Sequence, residues 1–557
     1  MNSSQDPQII NQIIAYLRDL ESRISRIESN LNLKPQDAVN SFKLPPIIPP
    51  KISERADFLE LQIGQFWFAK VGIVILAIGI VFLLTFPYQD LPPFVPSIFG
   101  YVFVGALVLL SRYSSKSLPF LSQYIFGGGL LLLYFTTLRL HFFGVTRAIE
   151  NIEIETFLLL IVSVVHLFIS FKRKSVYLSS TGIMLSAITI LLSNNTYSVF
   201  VLLLLLSFLI VYLKIKFEWN GFYIYGITLV YLTNFFWFIN NPIVGNSVGL
   251  QDRSYINLFS FLLYGVIFSI GNFYNHKRKS EDSTIIVSTF INCFLSYGIF
   301  LLVTLLRHKE ILPLSHFIAS ILFLILSVIF WVRKESKYST FFYSILGYTA
   351  LSVAIITQFP QPDFFVWLSW QSVVVVSTAI WFRSKIIIVA NFVMYLVTFF
   401  SYLILAGSIG IISLSFGFVA LLSARILNWQ KNKLDLKTDA MRISYLAAAF
   451  FIFPYSLYHI LPSDYVILSW TVVALSYYVL SVILKNKKYR WMALFTFLIT
   501  ILYILFVGTT NLEPSYRIIS FIVLGIVLVF ISIFYARMKS KLSTKSERNS
   551  ESNTDKS

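Results

Sequence analysis

Few residues of this chain have the types and the spacing of a catalytic or metal-binding site. Residues 245–249, Gly-Asn-Ser-Val-Gly, have the spacing of the nucleophile elbow of serine hydrolases. That elbow needs a strand before the serine and a helix after it, whereas these residues lie in a polar loop between two apolar segments. We therefore predict that Ser247 is chemically inert. Because the sequence has no phosphate-binding loop and no cluster of metal ligands, we predict no catalytic, cofactor-binding or metal-binding residue.

Polar and ionisable side chains within apolar segments are the remaining candidates, because placing them in a membrane is costly and usually serves a function. His166 is the only titratable residue that we place deep in an apolar segment, and Gln371 is an uncharged polar residue in another. Arg139 lies near the end of a third segment. We take Arg139, His166 and Gln371 as candidate functional or structural residues.

Three acids, Glu150, Glu153 and Glu155, surround the start of the segment that contains His166. They could bind a cation or act as a base, but we favour a solvated helix entrance, since charged side chains are seldom buried without a partner. On that interpretation no carboxylate lies deep in an apolar segment. Ion-coupled transporters usually carry such a carboxylate, so this interpretation argues against ion coupling.

Glu513 and Arg517 lie at the start of the last apolar segment. Pro514 suits the first position of a helix, which would place Glu513 and Arg517 four residues apart on one helix face. We hypothesise that Arg517 pairs with Glu513 and holds the final helical hairpin together. Binding of a lipid phosphate by Arg517 is the alternative, because an arginine at the membrane surface pairs well with phosphate.

The composition is that of a membrane protein. Of the 557 residues, 57% are hydrophobic and 13% are charged, and the mean hydropathy is +0.75. Soluble domains are about 45–50% apolar and about 25% charged. Continuous apolar runs of about twenty residues indicate membrane-spanning helices, whereas the strands of a β-barrel would alternate apolar and polar residues. We predict an all-α, polytopic membrane protein surrounded by a lipid bilayer.

The apolar runs predict eighteen spans, and the loops between them alternate in charge. The spans are 66–86, 94–111, 120–139, 154–171, 176–192, 197–215, 220–239, 255–274, 284–306, 314–332, 340–358, 364–382, 386–406, 409–427, 441–460, 464–484, 490–508 and 516–537. With this assignment, 38 of the 44 Lys and Arg residues fall on one side of the membrane. Cations concentrate on cytoplasmic loops, so both termini are predicted to be cytoplasmic. The net charge of +18 then reflects topology and does not indicate nucleic-acid binding.

The N-terminal and C-terminal segments are predicted to lie outside the membrane. Residues 1–34 form a cytoplasmic coiled-coil segment whose apolar residues alternate spacings of three and four, namely Ile10, Ile13, Leu17, Leu20, Ile24, Ile27 and Leu31. Residues 6–34 could therefore self-associate, and packing of this helix within its own chain is the alternative. A proline-rich linker follows at 35–58, the transmembrane domain occupies 59–538, and a disordered polar tail covers 539–557.

Three stretches together resemble a family of large bacterial membrane proteins known only as a domain of unknown function. They are residues 59–84, 126–144 and 490–538. The first stretch matches the family's first-span motif at Glu60, Gly64, Trp67, Lys70, Gly72 and Gly79. The second has the family's triple glycine and the third its last pair of spans, although Tyr503 stands where a lysine is usual and Gly508 where an aspartate is usual. The resemblance implies a bacterial membrane protein with an N-terminal coiled coil, and it implies no activity.

The sequence leads to two kinds of function. The first is a multi-pass protein of the bacterial cytoplasmic membrane that either transports an unknown substrate or acts as a membrane scaffold through its coiled coil. The alternative is a membrane-embedded enzyme of envelope lipid or glycan metabolism. Buried polar residues that converge on one cavity would favour transport, an outward-facing cavity beside residues 150–155 would favour the enzyme, and a solidly packed interior would favour the scaffold.

Reporter fusions test the topology that the charge pattern predicts. A reporter inserted within 243–250 should be external and one within 430–437 should be cytoplasmic, because only the second loop is rich in cations. Alkaline phosphatase and green fluorescent protein, each active on one side of the membrane only, give the measurement. If both loops report the same side, the eighteen-span assignment is wrong.

Overall fold

The protein is described from a computed structural model. The structure describes residues 92–508 except for 117–118, 144–146, 194, 243–245, 251–254, 275–281, 334–335 and 430–438, together with short pieces within 15–26, 75–79 and 518–529. Within these residues the regular structure is helical, and no strand is present.

Sixteen α-helices follow one another along the described chain. They are α1 Val95–Ser114, α2 Pro119–Leu138, α3 Ile152–Lys172, α4 Val176–Leu191, α5 Thr196–Phe217, α6 Asn220–Phe238, α7 Tyr255–Phe273, α8 Ser283–Arg307, α9 Leu312–Arg333, α10 Lys337–Gln358, α11 Phe364–Trp381, α12 Lys385–Leu405, α13 Ile412–Trp429, α14 Asp439–Ile460, α15 Ser463–Ile483 and α16 Lys487–Tyr503. A short 3₁₀ turn, Lys309–Ile311, precedes α9, and a π-helical turn, Ile504–Gly508, continues α16.

Fourteen helical stretches of the described chain are long and apolar enough to cross a membrane. Each predicted span from the second to the seventeenth overlaps one of the helices, although α4, with 16 residues, is shorter than the other apolar ones. The first and last predicted spans, 66–86 and 516–537, lie largely outside the described residues. The all-helical membrane fold is therefore confirmed, whereas the count of eighteen spans stays a prediction.

Polar residues at loop ends fix where several helices begin. The side chains of Ser175, Asn195, Ser336 and Ser384 each accept a hydrogen bond from a backbone N–H in the first turn of the helix that follows. Such caps satisfy amide groups that have no partner inside the helix. The hydrocarbon core of a bilayer offers no hydrogen bonds, so the backbone N–H and C=O groups within each helix bond to one another.

The described part of the N-terminal segment, within 15–26, is helical. Three residues of the predicted heptad seam lie there, and Leu17, Leu20 and Ile24 are all exposed. An exposed apolar stripe agrees with a helix that meets a partner. The coiled coil and its self-association nevertheless stay predictions, because most of the segment lies outside the described residues.

Residues 102–132 belong to a different compact unit from residues 133–508. In that unit, Ser111 of α1 and Ser122 of α2 exchange hydrogen bonds: each hydroxyl donates to the carbonyl oxygen of the other residue, at 2.9 and 2.7 Å. Both serines are buried. Small polar residues of this kind let two helices approach closely in lipid.

Asn292 of α8 joins three neighbouring helices. Its Nδ2 donates to the carbonyl oxygen of Gly265 in α7 at 2.9 Å and to the Tyr343 hydroxyl in α10 at 3.2 Å. Its Oδ1 accepts a hydrogen bond from the Tyr231 hydroxyl of α6 at 2.8 Å. Both the nitrogen and the oxygen of the amide are thus hydrogen-bonded inside the protein, which fixes the mutual positions of α6, α7, α8 and α10.

Asn391 of α12 makes the same kind of contact four helices later. Its Nδ2 donates to Ser372 Oγ of α11 at 2.8 Å and to the Tyr445 hydroxyl of α14 at 2.9 Å. Asn391 follows Asn292 by 99 positions, and Tyr445 follows Tyr343 by 102. An asparagine–tyrosine clasp therefore recurs at corresponding places in α7–α10 and in α11–α14.

Contacts between helix ends agree with the alternation of loops across the membrane. On the predicted external side, Arg307 at the end of α8 donates to the carbonyl oxygen of Leu250, just before α7. The Tyr255 hydroxyl, at the start of α7, donates to Glu310 at 3.4 Å. Both contacts join ends that the charge pattern assigns to the same side.

The predicted cytoplasmic ends of α5, α7 and α9 also meet one another. The Lys214 ammonium group, near the end of α5, donates to the carbonyl oxygens of Gly271 and Tyr274 at the end of α7. The guanidinium of Arg333, which ends α9, lies 5.3 Å from the centre of the Phe273 ring. Which of the two sides is cytoplasmic stays a prediction.

Removing either clasp asparagine should destabilise the protein. Asn292→Ala and Asn391→Ala each remove hydrogen bonds that join buried groups of neighbouring helices, and the loss of a buried partner costs about 1–3 kcal/mol. We expect both variants to unfold at a lower temperature than the wild type in a thermal-shift assay in detergent. Thr349→Ala is the control, because the Thr349 hydroxyl is exposed and bonds within its own helix. An unchanged melting temperature for both asparagine variants would contradict the role of the clasps.

Candidate functional site

Helix α3 buries a line of polar side chains along one face. Its buried residues are Glu155, Leu159, Ser163, His166 and Ser170, and their spacing of three or four places them on one face of a helix. Polar residues of α2 and α4 meet this face. We call the whole set the polar seam; it comprises Tyr134, Glu155, Ser163, His166, Ser170, Ser179, Thr181 and Thr189.

Glu155 begins the seam, in the first turn of α3. The residue is fully buried, with 0% exposure, and neither carboxylate oxygen has a hydrogen-bond partner in the described part of the chain. Glu150 and Glu153, by contrast, are exposed. The expectation that all three acids form a solvated helix entrance is therefore wrong for Glu155.

An unpaired charge at the position of Glu155 is costly. Burying an ionised carboxylate without a partner is so unfavourable that such a group normally takes up a proton. The N-terminus of α3 favours the charged form, but a helix dipole contributes only about 0.3–1 kcal/mol. Tyr101 and Tyr134 are close enough for Glu155 to act on them electrostatically. Glu155 is thus a carboxyl that can hold a proton or another small cation inside the protein.

Hydroxyl groups fill the centre of the seam. The Tyr134 hydroxyl is 2.9 Å from Thr189 Oγ1, which is 3.3 Å from Ser163 Oγ. All three side chains are buried. Because a hydroxyl both donates and accepts hydrogen bonds, this chain of three can solvate a proton or pass one along.

His166 lies in the other half of the seam and is 1% exposed. Its Nε2 is 3.1 Å from the carbonyl oxygen of Leu178 and 3.1 Å from Oγ1 of Thr181. A carbonyl oxygen only accepts hydrogen bonds, so Nε2 carries the hydrogen, and Nδ1 is the nitrogen that can gain a proton. Nδ1 is buried, with no hydrogen-bond partner among the described residues.

Helix α4 packs tightly against the second half of α3. A Cβ at Gly182 would lie 2.8 Å from Cδ2 of Leu167 and 3.2 Å from Cδ2 of His166, so glycine is needed for this close approach. One turn beyond His166, the hydroxyls of Ser170 and Ser179 lie 3.1 Å apart. These two serines end the seam beside the basic loop between α3 and α4.

Of the described candidates from the sequence, the seam includes only His166. Arg139 follows α2 and is 6% exposed, and its Nη1 lies 3.4 Å from the carbonyl oxygen of Phe143. Gln371 lies in α11, where its Nε2 donates to the carbonyl oxygen of Tyr348 at 2.9 Å. Gln371 thus links α10 to α11, far along the chain from the seam.

Two other predictions concern residues away from the seam. Glu513 and Arg517 lie outside the described residues, so their pairing stays a hypothesis. Ser247 is exposed in the loop after α6, and its carbonyl oxygen accepts a hydrogen bond from the side chain of Asn240 at 2.9 Å. The described part of this loop contains no strand that could support a nucleophile elbow.

Sequence reasoning also missed further buried ionisable residues, among them His316 and Lys214. His316 of α9 is fully buried, with Nδ1 3.2 Å from the Tyr297 hydroxyl and Nε2 3.0 Å from Oγ1 of Thr304. Lys214, counted among the loop cations, is 5% exposed and caps the end of α7. Both side chains have partners, which fits a structural role. The sequence signal for Glu155 was its spacing, because it shares one helix face with His166.

The polar seam consists of side chains that can bind protons. The described residues contain no group of three or more His, Cys, Asp or Glu side chains that could hold a metal ion. The seam instead combines one carboxylate, one imidazole and several hydroxyls. These groups bind and transfer protons in enzymes and in membrane pumps.

Comparisons with known proteins identify a family and assign no activity. No curated protein and no solved structure matches the chain. A family model described as "Predicted membrane protein (DUF2339)" matches residues 64–463, which is well over half of the chain. The resemblance found in the sequence is thereby confirmed at the level of the family. This chain belongs to the DUF2339 family of predicted membrane proteins, a domain of unknown function.

Proposed function

We propose that this chain is a multi-pass membrane transporter, and that Glu155 binds and releases a proton or another small cation to drive transport. The observation that carries the proposal is the fully buried carboxylate of Glu155, whose oxygens have no hydrogen-bond partner in the described chain. An ionisable residue inside a membrane domain suggests a function by default, because its burial lowers stability.

The burial of Glu155 removes the main objection to ion coupling. From the sequence alone, coupling is disfavoured because no carboxylate is predicted deep in a span. A coupling group must exist in two states, loaded and empty. Enclosure by protein favours the neutral, loaded form of Glu155, and the N-terminus of α3 favours the charged, empty form.

The other two functions considered from the sequence make different demands on Glu155. An enzyme of envelope lipid or glycan metabolism would use its carboxylate as a base, which requires an opening for the substrate beside α3. A membrane scaffold requires no ionisable group in its interior. Neither would carry protons across a bilayer, so a flux measurement separates both from a transporter.

The proposal includes location and assembly. We infer that the protein lies in the bacterial cytoplasmic membrane with both termini in the cytoplasm, as the placement of 38 of its 44 Lys and Arg residues on one side supports. We also infer that residues 6–34 self-associate ahead of the transmembrane domain at 59–538. The exposed Leu17, Leu20 and Ile24 support this inference.

Proton uptake into proteoliposomes tests the proposal. The purified protein is reconstituted with a pH-sensitive dye inside, and a potassium diffusion potential, negative inside, is imposed with valinomycin. We expect the wild type to admit protons and Glu155→Gln to admit no more than empty liposomes, because glutamine has a similar volume but cannot ionise. Wild-type protein that admits neither protons nor, with a sodium-sensitive dye in place of the pH-sensitive one, sodium ions would overturn the proposal.

Glu153→Gln is the matched control for this experiment. Glu153 lies two positions before Glu155 in the same helical turn and is exposed. We expect Glu153→Gln to retain wild-type flux. Equal loss of flux in the two variants would instead attribute the effect to the negative charge at the N-terminus of α3.

Labelling with dicyclohexylcarbodiimide tests the state of Glu155 directly. This apolar reagent modifies protonated carboxyl groups in apolar surroundings, and a buried carboxyl without a partner is expected to be protonated. Peptide mass spectrometry should find the label on Glu155 in the wild type and in Glu153→Gln. Label found only on exposed acids would mean that Glu155 is ionised or inaccessible.

A further inference from the structure

We propose that the polar seam is a proton path along α3, in which His166 is a second proton carrier after Glu155. This inference rests on the proposed function and identifies the coupling ion as a proton. Two independent observations carry it: the line of buried residues on α3, in which every member except Leu159 is polar, and the unpartnered nitrogen of His166.

The two titratable groups lie on one face of the same helix. His166 follows Glu155 by eleven positions, which is about three turns and about 16 Å of helix. Both side chains are buried, at 1% and 0% exposure. A proton that moves between them stays inside the protein and crosses more than half of α3.

The hydroxyls between Glu155 and His166 provide intermediate positions. Thr189 Oγ1 lies between the Tyr134 hydroxyl at 2.9 Å and Ser163 Oγ at 3.3 Å. In each transfer, a hydroxyl oxygen accepts one proton and releases its own to the next acceptor, so atoms and charge balance and no electron moves. Leu159 is the one apolar residue on the buried face of α3, so the proposed path requires water to carry the proton past it.

His166 can receive the proton because of the hydrogen bonds that it already makes. Its Nε2–H donates to the Leu178 carbonyl oxygen and to Thr181, both at 3.1 Å. Proton uptake therefore occurs at Nδ1, which is buried and has no partner among the described residues. The imidazolium then releases its Nε2 proton to the Thr181 hydroxyl, 3.1 Å away, and the ring returns to the neutral form.

His316 shows what a buried histidine without this role looks like. Both of its ring nitrogens are occupied, by the hydroxyls of Tyr297 and Thr304. It lies in α9, outside the seam. The two histidines are alike in burial and differ in the free nitrogen, so His316 serves as the matched control for His166.

The test is proton flux in proteoliposomes of two variants within the path. His166→Gln keeps an N–H donor near the position of Nε2 but removes the nitrogen that titrates. Thr189→Val keeps the volume of the side chain and removes the central hydroxyl. We expect proton flux through His166→Gln to fall on the order of a hundredfold, the usual contribution of a positioned proton-transfer group. Proton flux through Thr189→Val should also fall.

Two control variants match these substitutions outside the seam. They are His316→Gln and Thr233→Val, the latter at a buried hydroxyl that bonds the carbonyl oxygen of Leu229 in its own helix. We expect both to retain wild-type flux. Carbodiimide labelling of Glu155 should persist in all four variants, which shows that loss of flux does not arise from a disrupted seam.

The outcomes separate this inference from the proposed function. Full flux in both His166→Gln and Thr189→Val, with flux lost in Glu155→Gln, would overturn the path and leave Glu155 as the coupling group. Absence of proton flux in the wild type would overturn the path, and absence of both proton and sodium flux would overturn the proposed function as well. If His166→Gln fails to fold, full flux in Thr189→Val alone would overturn the path.

Discussion

The hydrocarbon core of a bilayer neither donates nor accepts hydrogen bonds, and the structure of this protein follows from that constraint. Helices satisfy the backbone, and buried polar side chains find partners in their own helix, as Thr233 does, or on a neighbouring helix. The amides of Asn292 and Asn391 do so by bonding a tyrosine hydroxyl and a group of the preceding helix. These contacts specify which helices are neighbours. Contacts between apolar side chains specify neighbours only weakly, because lipid tails are equally apolar.

Glu155 and His166 depart from this rule in the same helix. The carboxylate oxygens of Glu155 and Nδ1 of His166 are buried, and none has a partner in the described chain. His316, equally buried, has both nitrogens paired. Such unpaired carboxylate oxygens and ring nitrogens lower the stability of the fold, and each can accept a proton. Glu155 and His166 both lie on one face of α3, and Gly182 of α4 packs closely against His166.

The sequence predicted the helices well because apolar runs and charged loops determine where a chain crosses the membrane. It also placed His166 near the middle of an apolar run, but not on the buried face of α3, because Val165 and Phe168 of the same run are exposed. Glu155 could not be placed in this way. A first-turn acid lies in water or in protein depending on which neighbouring helix covers it, as the contrast with exposed Glu153 illustrates. The partners of Asn292 likewise depend on the packing of helices distant in sequence.

The proposed proton path requires Glu155 to hold a proton inside the protein at neutral pH. Infrared difference spectroscopy of the reconstituted wild type against Glu155→Gln measures this directly, because lipid bands cancel and a protonated carboxyl absorbs apart from a carboxylate. If Glu155 is protonated, the wild type should show a protonated-carboxyl band that shifts in deuterated water, and the variant should lack this band. A difference spectrum in which only a carboxylate band is lost would contradict it.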